Sequence, residues 1–183
     1  MWLLLGTVVG AVLVVTVSRG SFSQLAALRV RGFWLLALGL GMQAALEFVD
    51  LPKNEIETVG YGILMASYAC ILAFCLANIA SAGFGVIAIG IAMNALVIGL
   101  NQGMPTKPIG NDANGNRVYK AVSQTVKHRQ TNDDDLLPIL GDRILLPKPA
   151  DSLVSFGDLV ISIGICELTY FASRCKPRQP SIR

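Results

Sequence analysis

Apolar and charged positions alternate along this chain in long blocks. Charged residues gather at positions 19–31, 47–57, 107–151 and 174–183, and the windows between these clusters contain almost none. A helix needs about 20 apolar residues to cross a bilayer, and several of the windows approach that length. The alternation is therefore typical of a polytopic membrane protein and not of a soluble domain.

The blocks predict an all-α integral membrane protein with five transmembrane helices. A short helix at residues 20–31, where apolar residues alternate with polar and basic ones, is predicted to lie on the membrane surface, with a solvated loop as the alternative. A long loop at residues 101–154, expected to be structured, lies outside the cytoplasm and precedes the fifth span, and a basic cytoplasmic tail occupies residues 174–183. The predicted spans are residues 2–17, 33–49, 58–77, 80–100 and 155–173.

Basic residues give the predicted orientation. Arg19, Arg29, Arg31 and the tail at 174–183 share one side, whereas the acidic connection at 51–57 and the long loop share the other. The positive-inside rule then places the N-terminus outside and the C-terminus in the cytoplasm. The first apolar block has no basic residue before it and a basic residue after it, so we expect a retained helix and not a cleaved signal peptide.

Spans two and four carry a similar six-residue pattern. Residues 39–44 read GLGMQA and residues 90–95 read GIAMNA. The pattern predicts two repeated hairpins, one–two and three–four, arranged about an axis along the membrane normal, with a fifth helix added. An amide in apolar surroundings needs a partner, so we expect Gln43 and Asn94 to face inward and to bond each other or a backbone carbonyl. A ligand-binding pair is the alternative.

Two acids lie in the fifth span. Asp158 begins it and is predicted to be an interfacial acid stabilised by the helix dipole. Glu167 lies deeper, where a carboxylate costs about 3 kcal/mol at the bilayer centre and marks a functional site by default. We expect Glu167 to reach the interface, to pair with Arg174 or with a partner subunit, or to serve the function directly.

The long loop ends in an apolar stretch, since residues 136–147 read LLPILGDRILLP. Two interpretations are open. The stretch folds back over the outer end of the bundle with Asp142 and Arg143 at a turn, or it docks another protein. Asp142, Arg143 and Asp158 are therefore the candidates for loop docking or partner contact.

Composition narrows the chemistry. Of 183 residues, 53% are hydrophobic and 15% charged, and the net charge of +3 is too small to indicate a nucleic-acid partner. The four cysteines and the single histidine match no zinc or iron–sulfur spacing, and no glycine-rich phosphate loop is present. The sequence predicts no metal and no cofactor.

Several segments together resemble an uncharacterised bacterial family of small membrane proteins, domain-of-unknown-function family 5317. The resemblance implies a bacterial cytoplasmic membrane and the same topology, and it carries no activity. This chain departs from the family in a longer stretch at 108–126 and in the basic tail. The segments are RGSFSQLAALRVRG at 19–32, MNALVI at 93–98, NQGMP at 101–105, KHR at 127–129 and LGDRI at 140–144.

Our first functional hypothesis is a non-catalytic accessory or structural subunit of a larger bacterial membrane complex, with membrane lipid and other membrane-protein subunits as partners. The alternative is a small transporter or lipid-handling protein in which Gln43, Asn94 and Glu167 line a cavity. The transporter alternative ranks second, because a protein with so few polar residues in its interior offers a poor path for water-soluble substrates. A membrane enzyme acting through Asp142 or Asp158 rests on the presence of acids alone.

Overall fold

The computed structural model describes residues 2–48, 56–108, 110–111, 117–118, 128–147 and 152–174. As predicted, the described chain is mostly helical. The connection at 51–55, most of the 108–126 stretch and the tail after Arg174 lie outside the described residues. The helices are α1 (Trp2–Val17), α2 (Phe22–Ala26), α3 (Phe33–Phe48), α4 (Tyr61–Ala77), α5 (Phe84–Asn101) and α6 (Phe156–Ala172).

Two segments are long and apolar enough to cross a membrane. They are Thr58–Ala77, which is α4 with part of the π-helical turn Ile56–Gly60 before it, and Phe84–Asn101. Two shorter apolar helices cover Leu3–Val17 and Phe33–Leu46. Crossing of a membrane by five helices stays a prediction.

The surface helix is shorter than predicted. Only Phe22–Ala26 is helical within the predicted 20–31. At the far end of the predicted helix, the Asn78 side chain accepts from the Arg31 N–H at 2.8 Å and donates to the Arg31 carbonyl at 2.9 Å. This pairing takes both backbone groups of Arg31, which are then unavailable to a helix.

The long helices lie side by side in the order α3, α4, α5, α6, α1. This order contradicts the predicted pairing of helix one with helix two, because α1 packs along α6 and has at most marginal contact with α3 within the described residues. Thr7 Oγ1 lies 2.8 Å from Ser162 Oγ, and a Cβ placed on Gly10 would lie 3.6 Å from Cys166 Sγ. A small residue and a hydroxyl pair thus bring α1 against α6, and the two helices run in the same direction.

The apolar core lies mainly between α4 and α5. Phe74 and Phe84 meet edge to face with ring centroids 5.5 Å apart, and the Tyr61 hydroxyl donates to the Gly99 carbonyl at 3.0 Å. These contacts lie at opposite ends of the pair, so α4 and α5 are antiparallel neighbours along their whole length. The buried side chains are Leu64, Tyr68, Ile71, Phe74, Cys75, Phe84, Ala88, Ile91, Val97, Ile98 and Met104.

Short strands organise the long loop. β1 (Met104–Thr106) pairs in parallel with β4 (His128–Gln130), while two antiparallel pairs join β2 (Gly110–Asn111) to β3 (Arg117–Val118) and β5 (Ile144–Leu145) to β6 (Leu153–Val154). These ladders carry backbone hydrogen bonds that an irregular loop would leave to water.

Asn101, the last residue of α5, ties the loop to the bundle. Its side chain accepts from the Leu136 N–H and donates to the Leu136 carbonyl, each at 2.8 Å. The apolar stretch therefore folds back over the end of α5, which is the first of the two interpretations. Several of its side chains nevertheless stay exposed, as the second requires.

Candidate functional site

The first polar contact between long helices lies where α3 crosses α4. A Cβ placed on Gly39 would lie 2.9 Å from the Ser67 carbonyl oxygen and 2.5 Å from Ile71 Cγ1, so only glycine allows this approach. One turn later, Gln43 Nε2 donates to Ser67 Oγ at 3.1 Å, and that hydroxyl donates to the Leu64 carbonyl at 2.6 Å. The glycine sets the distance, and the amide then reaches the neighbouring helix.

The second contact lies where α5 crosses α6, and it is more polar. A Cβ placed on Gly90 would lie 2.6 Å from the Gly157 carbonyl oxygen. One turn later, Asn94 Nδ2 donates to Asp158 Oδ1 at 2.7 Å, and Ser155 Oγ donates to Asn94 Oδ1 at 2.9 Å. Asn94 is 2% exposed and Ser155 is fully buried, whereas Asp158, the third member of this network, is half-buried.

The two crossings are built alike. Each glycine precedes its amide by one helical turn and meets two residues spaced four apart on the next helix, Ser67 and Ile71 or Gly157 and Ile161. The repeated six-residue pattern therefore marks equivalent crossings, α3 with α4 and α5 with α6. The predicted hairpin of helices one and two is wrong, because α3 packs on α4 and α1 packs on α6, whereas the predicted neighbours three and four, α4 and α5, do pack on each other.

The expected partners of the two amides are also wrong. Gln43 and Asn94 lie in different crossings and bond hydroxyl and carboxylate groups, neither each other nor a backbone carbonyl. Side-chain partners on the adjacent helix are closer to each amide than the other amide is, because α4 lies between α3 and α5.

Asp158 lies in the first turn of α6, where an acid was expected. Its N–H donates to Ser155 Oγ at 3.0 Å and its Oδ2 accepts from the Ser155 N–H at 3.3 Å, which completes a capping box. Ser155 was not singled out from the sequence. The signal was available, because a serine three residues before an acid at the start of an apolar run predicts this cap.

Asp142 and Arg143 follow the 3₁₀ turn Pro138–Leu140. Asp142 is 4% exposed, and its backbone bonds the β1 edge, accepting from the Lys107 N–H and donating to the Pro105 carbonyl, each at 3.0 Å. Arg143 points outward and is exposed. The two neighbours therefore differ, one fixed inside the loop and the other available on its surface.

Asp142 and Asp158 line one cleft of about 400 Å³ beside α1. Thr7, Ser152 and Ser162 also face it, together with apolar side chains. Gln43, Asn94 and Glu167 do not line this cleft. The structure thus brings together two of the candidate residues and separates the three that were expected to share a cavity.

Glu167 is half-buried on α6 and makes no hydrogen bond or ion pair with any residue that the structure describes. The expected pair with Arg174 does not form. Arg174 instead donates to the Tyr170 hydroxyl at 2.8 Å and lies 5.1 Å from the centre of its ring. Residues four apart are neighbours on a helix face, and Tyr170 stands in that relation to Arg174.

Sequence reasoning also missed Asn78. It caps the end of α4, where its side chain donates to the Phe74 carbonyl at 2.8 Å besides holding Arg31. No sequence signal connects Asn78 to Arg31, because their contact depends on how α3 enters the bundle. Over the described part of the chain, no three His, Cys, Asp or Glu residues are close enough to hold a metal ion.

The chain belongs to the family of unknown function DUF5317, which matches residues 27–170. The resemblance carried by the five sequence segments is therefore confirmed. No curated protein and no solved structure matches the chain.

Proposed function

We propose that this DUF5317 member is a multi-pass protein of the bacterial cytoplasmic membrane and a non-catalytic accessory subunit of a larger membrane complex. The proposal has two parts, the membrane location and the role as a subunit. Each part has its own support in the described residues.

Outward-facing apolar side chains support the membrane location. Phe48 is 87% exposed, Val17 82% and Leu4 69%, while Asn94 and Ser67 are buried. Water would disfavour this distribution, whereas lipid accepts it, because apolar side chains exposed on this scale are typical of a membrane or protein contact. The apolar segments Thr58–Ala77 and Phe84–Asn101 add to this support.

The distribution of arginines supports the proposed orientation. Arg19, Arg29, Arg31 and Arg174 gather at one end of the bundle, which we call the basic end, and the long loop lies at the other. Five crossings with the basic end in the cytoplasm satisfy the positive-inside rule.

The use of the amides supports a structural role. Gln43 and Asn94 hold helices together, so neither is free to bind a transported solute. A small transporter or lipid-handling protein, the alternative, would need Gln43, Asn94 and Glu167 to line a shared cavity. The described clefts do not include them, so this alternative has less support.

The observation that carries the subunit proposal is an apolar surface on the folded-back loop. Leu136, Leu137, Ile139 and Leu145 are 56%, 45%, 58% and 54% exposed. Asn101 pins the backbone of Leu136, so part of this surface is held in place before any partner arrives. Preorganised apolar side chains favour binding because little conformational freedom is lost. A second membrane-protein subunit is the partner that we propose for this surface.

The test is extraction in a mild detergent followed by native mass analysis. We expect a complex in which the double variant Ile139→Ser, Leu145→Ser loses its partner subunit while the protein itself stays in the membrane. Asp134→Ser, an exposed change in the same loop, is the matched control and should retain the partner. Migration as a lone protomer in every detergent, or full retention by the double variant, would overturn the proposal.

A further inference from the structure

Residues 21–31, which include α2, cross the basic end of the bundle and are fixed at both ends. We call this segment the strap. At one end, the Ser21 N–H donates to the Ser173 carbonyl at 2.8 Å, just beyond α6. At the other end, Arg31 is held by the Asn78 side chain through both of its backbone groups. Gly20 packs so closely on Ser173 that a Cβ there would collide with the serine side chain. The strap is therefore seated on α6 and α4, and it spans the space between them.

A cavity of about 500 Å³ lies under this strap. Its size falls within the roughly 300–1,000 Å³ that is usual for small-molecule sites. Its walls are mostly apolar and come from three elements: Leu28 from the strap, Ala80 and Ala82 from the turn between α4 and α5, and Leu168 and Phe171 from α6.

Three polar side chains interrupt the apolar wall, Gln24, Arg29 and Ser81, and of these Gln24 already has a partner in the protein. Arg29 is exposed and makes no hydrogen bond or ion pair with the residues that the structure describes. The Ser81 hydroxyl likewise has no partner among them. Glu167 precedes Leu168 in α6, yet it does not line the cavity. A cation and a hydroxyl donor thus stand beside an apolar pocket whose described lining contains no acid.

We infer that this cavity binds an anionic phospholipid, with an acyl chain against the apolar walls and the phosphate at Arg29 and Ser81. The inference rests on the proposed membrane location. An arginine guanidinium donates to phosphate oxygens in a fork, and basic pockets between helices at the cytoplasmic side bind acidic lipid headgroups. A soluble anion would use Arg29 and leave the apolar walls in water, whereas a lipid satisfies both parts of the cavity.

A lipid bound in this cavity would stabilise the fold. One acyl chain would touch the strap, the turn after α4 and the end of α6 at once. It would therefore add contacts between the strap and the two elements that hold its ends through the Ser21–Ser173 and Arg31–Asn78 bonds. Bound lipid should raise the thermal stability of the whole chain, because a ligand that binds only the folded state stabilises it by mass action.

The experiment titrates the full-length purified protein with short-chain phosphatidylglycerol and, separately, with phosphatidylcholine of the same acyl chains, by native mass spectrometry. We expect phosphatidylglycerol to bind more tightly. Arg29→Gln should weaken it about fivefold, from the attraction of one basic residue for anionic lipid, while Arg29→Lys retains most of the affinity. Arg19→Gln removes the same charge at the same end without lining the cavity and should change the affinity less than twofold.

A second variant tests the apolar part of the cavity. Ala80→Leu fills it and should weaken both lipids, whereas the headgroup variant Arg29→Gln should affect phosphatidylglycerol alone. Equal losses from Arg19→Gln and Arg29→Gln would overturn the inference, since they would indicate diffuse charge attraction. Competition by inorganic phosphate at the same concentration as lipid would also overturn it, in favour of a soluble anion.

Membrane fractionation separates this inference from the proposed function. A chain that stays in the membrane after an alkaline carbonate wash but does not prefer phosphatidylglycerol would sink the lipid site alone. A chain that is released by the wash and remains soluble without detergent would sink the membrane location, and the lipid site with it.

Discussion

The two helix crossings, α3 with α4 and α5 with α6, use one device in two settings. In both, a glycine allows close approach and an amide one turn later bonds the next helix. At the first crossing, half-buried Gln43 bonds a single hydroxyl. At the second, fully buried Asn94 bonds both a hydroxyl and a carboxylate.

The difference follows from where each amide meets its neighbour. Gln43 meets α4 in the middle of the helix, where the backbone is already satisfied and only Ser67 is available. Asn94 meets the first turn of α6, where N–H groups lack partners within the helix and polar capping residues gather. The same sequence pattern therefore gives a single hydrogen bond where the amide meets the middle of a helix. It gives a network of hydrogen bonds where the amide meets the N-terminus of a helix.

The largest effect should come from Gly90→Ala. The added Cβ would lie 2.6 Å from the Gly157 carbonyl oxygen and 2.8 Å from the Ile161 nitrogen, and backbone cannot move aside as a side chain can. We expect the free energy of unfolding, measured by titration with sodium dodecyl sulfate in mixed micelles, to fall by about 3 kcal/mol. Gly41→Ala is the control, since nothing lies within 4 Å of it, and it should be neutral or stabilising by up to about 1 kcal/mol. Equal behaviour of the two variants would contradict the close crossing.

Asn94→Leu should come next, with a loss of about 2 kcal/mol, because it leaves buried Ser155 and Asp158 without their partner. The same titration measures it, and the amount of protein in the membrane should fall in parallel. Ala92→Leu, an exposed change on the same helix, is the control and should leave both quantities unchanged. Normal abundance and stability of Asn94→Leu would argue that this amide serves a ligand and not the packing.

Gly39→Ala should cost less than Gly90→Ala, about 1–2 kcal/mol. Its Cβ would meet the Ser67 carbonyl oxygen at 2.9 Å, but the nearest atom belongs to the Ile71 side chain, which can rotate. Thermal unfolding followed by intrinsic fluorescence, run beside Gly90→Ala, ranks the two crossings. A larger effect at Gly39 would reverse our ordering.

The smallest effect should come from Gln43→Leu, about 0.6 kcal/mol, which is typical of a hydrogen bond between membrane helices. Ser67 keeps its own bond to the Leu64 carbonyl, so the variant leaves no donor unsatisfied. A double-mutant cycle with Ser67→Ala isolates the pair. A coupling energy as large as that between Asn94 and Ser155 would remove the distinction between the crossings.

Much of this arrangement was readable from the sequence, and the readable part has a physical basis. The helical windows follow from apolar blocks bounded by charge, and the 39–44 and 90–95 patterns mark the two crossings. The neighbour of α1 was not readable, although the pairing of α4 with α5 was. Apolar helices pack on one another through the shape of their surfaces. Nothing in the sequence of α1 indicates that it should pack on α6 and not on α3.

The polar partners divide in the same way. The role of Ser155 can be predicted from its spacing to Asp158, because a helix cap depends only on residues close together in the chain. Ser67 and Asn78 act across 24 and 47 residues of chain, and such contacts depend on the assembled bundle. Local spacing can also mislead. The spacing of Glu167 and Arg174 predicted an ion pair on one helix face, yet Arg174 donates to Tyr170, which is nearer along the chain.

The docking of α1 against α6 has a consequence for biogenesis. Thr7 and Ser162 are separated by 155 residues, so α1 leaves the ribosome long before α6, the helix on which it packs. At roughly 5–20 residues per second, that wait is on the order of ten seconds. During this interval the face of α1 that packs on α6 has no partner from that helix. A stalled or truncated nascent chain would leave it orphaned and open to proteolysis.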